Sequence, residues 1–377
     1  MIMAIIGIMG TVMAASHSGS YLVRVAHALE CARGDISAMQ PVADRAATAL
    51  ASGGKLWTAG QPSLVSEISG RAGGFMMIRP LGNEAPNPRD VVMYIPENVA
   101  ETPDSLKNTQ ALVVAFGTKR IHKQWPFFPN HSEEAGISPT LANAIPAWLF
   151  TGELIAALTR LGKMPVIYES IGAYSGIPRI TQYKNGEITF HDDKQVPPAA
   201  AGIVANRYIN TIQSMLERVE REQRRKLDKT GAWCRAARKR GAQLFMYSMG
   251  HLFPDEVGKT EIGKLFHSDV WNAGFRTSPK PNDVYRPGDM IVLIGYQQPP
   301  DDLLRKARPA GARVAFTALR HERDFAHDRG VIWIDPMWDW PDACVPLEGY
   351  DVPLLAASGL INGAIAWEIH RLTVQGQ

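Results

Sequence analysis

One carboxylate in the first third of the chain has the placement of a general base. Glu67 lies in a predicted helix, residues 63–71, which follows a short predicted strand and Gly60. A carboxylate one to two turns into such a helix faces the ligand cleft, where it can move a proton between adjacent carbons. We therefore predict Glu67 as a catalytic base. Arg71 follows four residues later, so the alternative is an ion pair on one helix face.

Two further predicted strands also end in residues that can do chemistry. His251 follows the strand at 243–247 and a loop that begins with Ser248, and Glu169 directly follows the strand at 165–168. Parallel α/β sheets bind their ligands at the carboxyl ends of strands. We predict His251 as a second catalytic residue, with Ser248 and Glu169 as ligand-binding residues. The alternative is that local hydrogen bonds satisfy these side chains in ordinary loops.

Small polar residues and a lysine follow the predicted strands at 55–59 and 111–116. Backbone N–H groups and hydroxyls at such turns bind phosphate groups, and a lysine adds positive charge. Pro62 removes one N–H donor from the first of these turns. The predicted ligand-binding residues here are Gly60, Gln61, Ser63, Thr118 and Lys119.

Three other charged segments favour structural roles. His370 lies near the end of the last predicted helix, where the helix dipole favours a positive charge. The His/Asp/Glu group at 321–328 lacks the i, i+4 histidine pair of a helical zinc site. Basic residues at 218–240 alternate with glutamates at helical spacing, which is typical of a solvated helix and not of a nucleic-acid surface. The apolar segment at 125–129 is predicted to be a loop, either a lid or an interface.

Strands and helices alternate along the chain in an order that occurs twice. Nearly unbroken apolar runs suit strands that are covered on both faces, so each half is predicted to be α/β with a parallel sheet. The predicted domains are residues 21–198 and 199–377, with a small hairpin at 188–190 before the boundary. The predicted strands are 55–59, 75–78, 91–95, 111–116, 165–168, 243–247, 290–294, 313–316 and 331–334. The predicted helices are 22–33, 38–51, 63–71, 140–161, 200–226, 230–240, 301–307 and 353–372.

The length and charge of the chain fit two ordinary globular domains. It has 377 residues, which suits two hydrophobic cores better than one. The net charge of +3 gives no reason to expect a nucleic-acid partner. The three cysteines lie far apart, and no CxxC pair occurs, so a zinc ribbon is excluded and a disulfide framework is not expected. We predict no metal and no cofactor.

The first residues are treated separately from the fold. Residues 1–15 form an apolar run that is too short to span a bilayer, so no stable membrane span is expected. The run is similar to the apolar region of a secretory signal, although no lysine or arginine precedes it. The alternatives are an exported protein and a cytoplasmic one whose chain starts near Met13. In both cases, residues 1–20 lie outside the predicted domains.

The segment at 53–74 resembles the first strand and loop of sugar isomerase (SIS) domains. Two later segments, 288–295 and 310–317, resemble strands of the same fold. The resemblance covers 21–170 and 200–372, and it implies two SIS-like halves, each with three α/β/α layers. It further implies a homodimer that binds a sugar or sugar phosphate. The residues that carry it are Gly53, Gly54, Lys55, Leu56, Trp57, Gly60, Ser66, Glu67, Ile68, Arg71, Ala72, Gly73 and Gly74.

The phosphate-binding loops of both halves depart from the SIS pattern. SIS domains usually carry a Ser-x-Ser-Gly-x-Thr loop, and the equivalent segments here, 115–120 and 295–300, have lost most of its hydroxyls. We therefore expect a sugar or sugar-phosphate binding protein, which as an enzyme would be an aldose–ketose isomerase with Glu67 as its base. The alternative is a non-catalytic SIS-like module that acts as a ligand sensor or an interaction protein.

Overall fold

The fold is described from a computed structural model. It describes residues 19–96, 102–171, 176–249, 253–271, 284–296, 298–319, 325 and 328–375. The signal-like run at 1–15 and His251 lie outside these residues, and so does most of the group at 321–328.

The first half is built around a parallel sheet of five strands. Its strand order is β2-β1-β3-β4-β5, and every neighbouring pair is parallel. The elements are α1 (Tyr21–Arg33), α2 (Ile36–Ala51), β1 (Leu56–Gly60), α3 (Pro62–Ile68), β2 (Arg79–Pro80), β3 (Val91–Ile95), α4 (Asp104–Lys107), β4 (Leu112–Gly117), β5 (Phe127–Pro129), α5 (Ser132–Ala135), α6 (Pro139–Arg160) and α7 (Gly176–Gln182), followed by a 3-10 turn at Lys184–Gly186.

The second half repeats this sheet. Its strand order is β7-β6-β8-β9-β10, again all parallel, so both halves place their first five strands in the order 2-1-3-4-5. A separate antiparallel pair joins β11 and β12. The elements are α8 (Ile203–Lys239), β6 (Leu244–Met249), α9 (Phe253–Gly258), α10 (Glu261–Leu265), β7 (His267–Trp271), β8 (Met290–Ile294), α11 (Asp301–Ala307), β9 (Arg313–Thr317), β10 (Val331–Ile334), β11 (Ala343–Val345), β12 (Leu354–Ala356) and α12 (Ser358–Val374).

The predicted fold class is confirmed, because each half is a parallel sheet flanked by helices. The repeat extends to a carboxylate before the third strand of each half. Asp90 accepts a hydrogen bond from the Lys55 N–H (2.9 Å), and Asp289 accepts one from the Gln243 N–H (2.9 Å). Burial alone would raise the pKa of Asp90, but hydrogen bonds from the Lys55 N–H and the Trp57 indole outweigh it and lower that pKa. The two carboxylates therefore tie equivalent strands together.

Two predicted strands of the first half were wrong. Residues 75–78 and 165–168 lie outside the main sheet and meet each other instead, through an antiparallel bridge between Phe75 and Ile167. The Tyr168 N–H donates to the Gly74 carbonyl (2.7 Å), which fixes this pairing. The predicted hairpin at 188–190 was also wrong. Its turn residues lie in the 3-10 turn, and Phe190 bridges to Pro165.

Three further predictions in the chain need correction. The helices predicted at 200–226 and 230–240 are one helix, α8, because Thr230 donates its hydroxyl to the Lys226 carbonyl (2.8 Å) within the helix. Gly231 does not break α8, since it lies where a Cβ would contact Leu372 of α12 at 2.5 Å. The apolar loop predicted at 125–129 contains the edge strand β5. Residues 354–356, predicted as helix, form β12.

The long apolar helix α6 lies at the centre of the molecule. It packs against α2, α8 and α12, and its apolar window is wholly buried inside the protein. Among the described residues it alone has the length and hydropathy of a membrane span, and its burial is that of a core helix. Because α1 packs on both α8 and α12, the chain's first described helix contacts the second half.

Candidate functional site

The same pair of side chains occurs once in each half. In the first half, the Trp148 indole of α6 donates to Glu67 of α3 (3.4 Å). In the second half, the Trp367 indole of α12 donates to Glu256 of α9. Each tryptophan lies nine residues after the first residue of its helix. The two halves are thus related at the level of individual contacts, which defines two equivalent clefts.

Each of these glutamates also contacts the start of the long helix in the other half. A Cβ on Gly359, in the first turn of α12, would lie 2.3 Å from Glu67 Oε1. Ser138, immediately before α6, donates its hydroxyl to Glu256 Oε2 (3.1 Å). The first turns of α6 and α12 therefore lie where the two halves meet. We call the space beside the start of α6 the first cleft and that beside the start of α12 the second cleft.

The first cleft is a cavity of about 240 Å³ at the carboxyl ends of β1, β3 and β4. In this strand order, that edge is the switch point at which open α/β sheets bind ligands. Its walls carry two lysines, three threonines and two side-chain amides. The lining residues are Gln61, Pro96, Gly117, Thr118, Lys119, Pro139, Thr140, Asn143, Lys259 and Thr260.

A glycine shapes the floor of the first cleft. Gly60 has φ +110°, and a Cβ there would lie 1.8 Å from the Ile95 carbonyl oxygen. Only glycine lets the chain turn this close to β3. The Gln61 N–H then donates to the Ile95 carbonyl (2.8 Å), and its Nε2 donates to Thr140 Oγ1 (3.2 Å). The turn after β1 is in this way held against the start of α6.

The start of α6 is open toward the first cleft. The first N–H groups of a helix lack acceptors within the helix, and its dipole favours an anion there. The hydroxyl of Ser138, which would otherwise cap them, is turned to Glu256. Asn143 accepts from Asn130 Nδ2 (2.6 Å), which leaves its own Nδ2 as the atom available to a ligand. The cleft thus combines donors with the positive charges of Lys119 and Lys259.

The second cleft is smaller, about 130 Å³, and the protein's own charges occupy its polar end. Asp342 accepts from the Ser358 N–H (2.7 Å) and so caps α12. Arg71 donates to Asp342 Oδ2 (2.6 Å) and also to Tyr296 and Ser358. Burial lowers the pKa of Arg71, but the charges of Glu67 and its other neighbours outweigh burial and raise it. The guanidinium therefore stays charged.

Proteins of known structure share this architecture over nearly the whole chain. The C-terminal domain of glucosamine-fructose-6-phosphate aminotransferase from Francisella tularensis has a TM-score of 0.51 and 10% identity, covering 96% of this chain and 98% of that one. A Salmonella typhimurium protein, provisionally named as sugar binding, has a TM-score of 0.48 and 9% identity, covering 94% and 99%. A Silicibacter pomeroyi protein, provisionally named as a phosphosugar isomerase, has a TM-score of 0.45 and 11% identity, covering 93% and 96%. The sequence itself matches no family model and no curated protein.

The first of these likenesses, joined to two parallel sheets of one strand order, decides the fold. The chain has the sugar isomerase (SIS) fold, present twice. The fold-level resemblance seen in the sequence is thereby confirmed. The two clefts are equivalent positions in the two SIS halves.

The structure brings four of the predicted site residues to the first cleft. Gln61, Thr118 and Lys119 line it, and Gly60 forms the turn beneath it. Ser63 is buried in α3 and is not among the lining residues.

The other predicted site residues lie away from the first cleft. Glu67 is fully buried in its SIS half and lies 3.9 Å from Arg71, as the alternative interpretation of an i, i+4 pair expected. Glu169 is buried and pairs with Arg179 (3.2 Å). Ser248 is buried in β6, and His251 lies outside the described residues.

Sequence reasoning missed four lining residues of the first cleft. Thr140 and Asn143 are one turn apart at the start of α6, and the Pro-Thr pair at 139–140 is a recognisable helix start. Lys259 and Thr260 come from the other SIS half. Their contribution depends on how the halves pack, which the sequence does not encode locally.

Proposed function

We propose that the protein binds a phosphorylated sugar in the first cleft. The observation that carries this proposal is the open start of α6, which meets Lys119 and Lys259 at a cavity beside the switch point of the first sheet. The phosphate would lie at the helix start between the two lysines. The sugar would lie along the threonine hydroxyls and side-chain amides.

The donor set of the first cleft suits this ligand class. A helix start supplies N–H groups and a partial positive charge to a phosphate, and lysines add full charges. Hydroxyls and amides exchange hydrogen bonds with the hydroxyls of a sugar. The name of the Francisella tularensis neighbour contains a sugar phosphate, fructose 6-phosphate, which supports the same class of ligand.

Binding without catalysis is the function that the described residues support best. Glu67, the proposed base, is sealed by Trp148, Arg71 and the first turn of α12, and it is not a lining residue of the first cleft. A general base must come within hydrogen-bond reach of the proton that it removes. We therefore propose the non-catalytic alternative, a module that senses a sugar phosphate.

A thermal-shift and calorimetric titration tests the proposed binding. Fructose 6-phosphate and glucosamine 6-phosphate are compared with fructose and inorganic phosphate. A ligand at 100 times its Kd stabilises the native state by about 2.7 kcal/mol. Each lysine makes charge-assisted hydrogen bonds worth about 1.5–3 kcal/mol, so Lys119→Ala and Lys259→Ala should each weaken binding by about 10–100-fold.

Lys264→Ala is the matched control, because Lys264 is an exposed lysine of α10 that pairs with Glu261 (2.6 Å). It should bind as the wild type does. The proposal is wrong if no sugar phosphate stabilises the protein, or if the two cleft variants bind as tightly as the control.

Proton exchange separates sensing from isomerisation. The protein is incubated with each sugar phosphate in D2O, and the carbon-bound protons next to the carbonyl are followed by NMR. A sensor leaves them unexchanged. Exchange that disappears in Glu67→Gln would instead establish Glu67 as the base of an isomerase. The homodimer that the resemblance implies stays a prediction, which light scattering on the purified protein can measure.

A further inference from the structure

A group of metal-binding side chain types lies on the first helix, remote in function from the two clefts. His27, Cys31 and Asp35 follow one another at four-residue spacing, His27 and Cys31 within α1 and Asp35 just after it. Residues four apart share one face of a helix. Opposite this face, α5 and the residue before it bring Glu134 and His131. Both His27 and Cys31 are half-buried, and Glu134 is exposed, so an ion has access from solvent.

The distances within this group fit a single ion. One ligand atom each of His27, Cys31 and Glu134 lies within 4.8 Å of the other two. The His27 Nε2 and Cys31 Sγ atoms are 3.6 Å apart. Tetrahedral zinc has Zn–S and Zn–N bonds of about 2.3 and 2.0–2.1 Å, which places its sulfur and nitrogen ligands about 3.6 Å apart.

A hydrogen-bonded chain orients the carboxylate of this group. His131 Nδ1 lies 3.2 Å from Glu134 Oε2, and His131 Nε2 lies 2.8 Å from Asp35 Oδ2. Partners that fix a ligand in this way are a regular part of protein metal sites. His131 has φ 55°, an uncommon conformation for a residue other than glycine, and this conformation places its ring between the two acids.

We propose that His27, Cys31 and Glu134 bind a zinc ion. The donor set of one thiolate, one imidazole and one carboxylate is the kind that zinc takes, and water completes the tetrahedron. On binding, the Cys31 thiol loses its proton to solvent and the thiolate bonds to the ion. The site would tie α1 to α5, three residues before α6 begins. It does not depend on the sugar-phosphate proposal.

The apo state of Cys31 is consistent with a role that requires a metal. Burial raises the pKa of the Cys31 thiol to about 12, and Glu134 beside it acts in the same direction. The free thiol is therefore protonated at neutral pH and is a poor nucleophile. The ordinary alternatives, a catalytic or redox-sensing thiol, need the opposite shift. The sequence signal for the site is the i, i+4 pair of His27 and Cys31, which the prediction of no metal overlooked.

Cobalt substitution tests the site on the full chain. Chelator-treated protein is titrated with Co²⁺, which gives a near-ultraviolet charge-transfer band only when a thiolate binds it. The expected result is a band that saturates at one ion per chain and is lost when Zn²⁺ is added. Cys31→Ser and His27→Gln should abolish it. Glu134→Gln, at an exposed residue, should weaken Co²⁺ binding without removing the band.

Cys344→Ser is the matched control, because Cys344 lies on β11, in the other half of the chain. It should keep the band. Should Cys31→Ser fail to fold, His27→Gln and Glu134→Gln carry the test, together with stabilisation of the wild type by Zn²⁺ in thermal unfolding. The proposal fails if the band does not saturate at one ion per chain, if it survives Cys31→Ser, or if Glu134→Gln binds Co²⁺ as tightly as the wild type.

Discussion

Replacing Arg71 by methionine should strongly destabilise the protein. Methionine keeps much of the length of the arginine stem but removes the charge that lies 2.6 Å from Asp342 and 3.9 Å from Glu67. The arginine is only 3% exposed, so solvent does not replace it. Removing one partner of a buried ion pair costs about 3–5 kcal/mol. We expect a loss in this range, since both carboxylates stay behind.

Urea titration, followed by tryptophan fluorescence, measures the free energy of unfolding for this comparison. Arg221→Met is the control, because Arg221 forms an exposed pair with Glu222 and should change stability by less than about 0.5 kcal/mol. Combining Arg71→Met with Asp342→Asn should recover about 0.5–3 kcal/mol relative to the sum of the single variants. A loss below 1 kcal/mol for Arg71→Met, or strictly additive single variants, would refute the account of the second cleft as an ionic contact between the halves.

Two further substitutions test the turn after β1 and an acidic contact near the end of the first half. Gly60→Ala should cost more than Gly53→Ala: both glycines have positive φ, worth about 1–2 kcal/mol for an L-residue, but only Gly60 would also push a Cβ into the Ile95 carbonyl; equal losses in thermal unfolding would contradict this. A hydrogen bond from Arg179 lowers the pKa of Asp351, so its stabilisation is present above the unfolded pKa of about 3.9 and is lost as pH falls through the folded pKa. Asp351→Asn should therefore be less stable than the wild type at pH 7, and the difference should shrink below about pH 4; a constant difference down to pH 2 would argue against the ion pair.

The central strands of both sheets could be predicted because their sequences are apolar on both faces. The runs at 91–95 and 290–294 have no other plausible location than a covered sheet. The edge strand β5 contains two prolines' worth of apparent loop signal at 126 and 129, yet it pairs with β4, which is where proline is tolerated. The segment at 75–78 is equally apolar but pairs outside the sheet, and this choice depends on tertiary contacts.

The site was predictable only where it is local in sequence. Gln61, Thr118 and Lys119 follow strands directly, so the strand pattern located them. Lys259 reaches the same cavity from the other half, and no periodicity indicates that. Glu67 has the expected position on its helix, but Trp148 and the start of α12 bury it, and both contacts come from outside its own segment.

The two helix starts differ in one respect that has a mechanical consequence. At α12 the carboxylate of Asp342 is covalently part of the chain, so that contact between the halves is closed at all times. At α6 the equivalent negative charge must come from outside. A bound phosphate would complete the matching contact by joining Lys119 of one half to Lys259 of the other. Ligand binding would then act as a removable fastener opposite a permanent one, which turns occupancy of a small cavity into a fixed relative orientation of two domains.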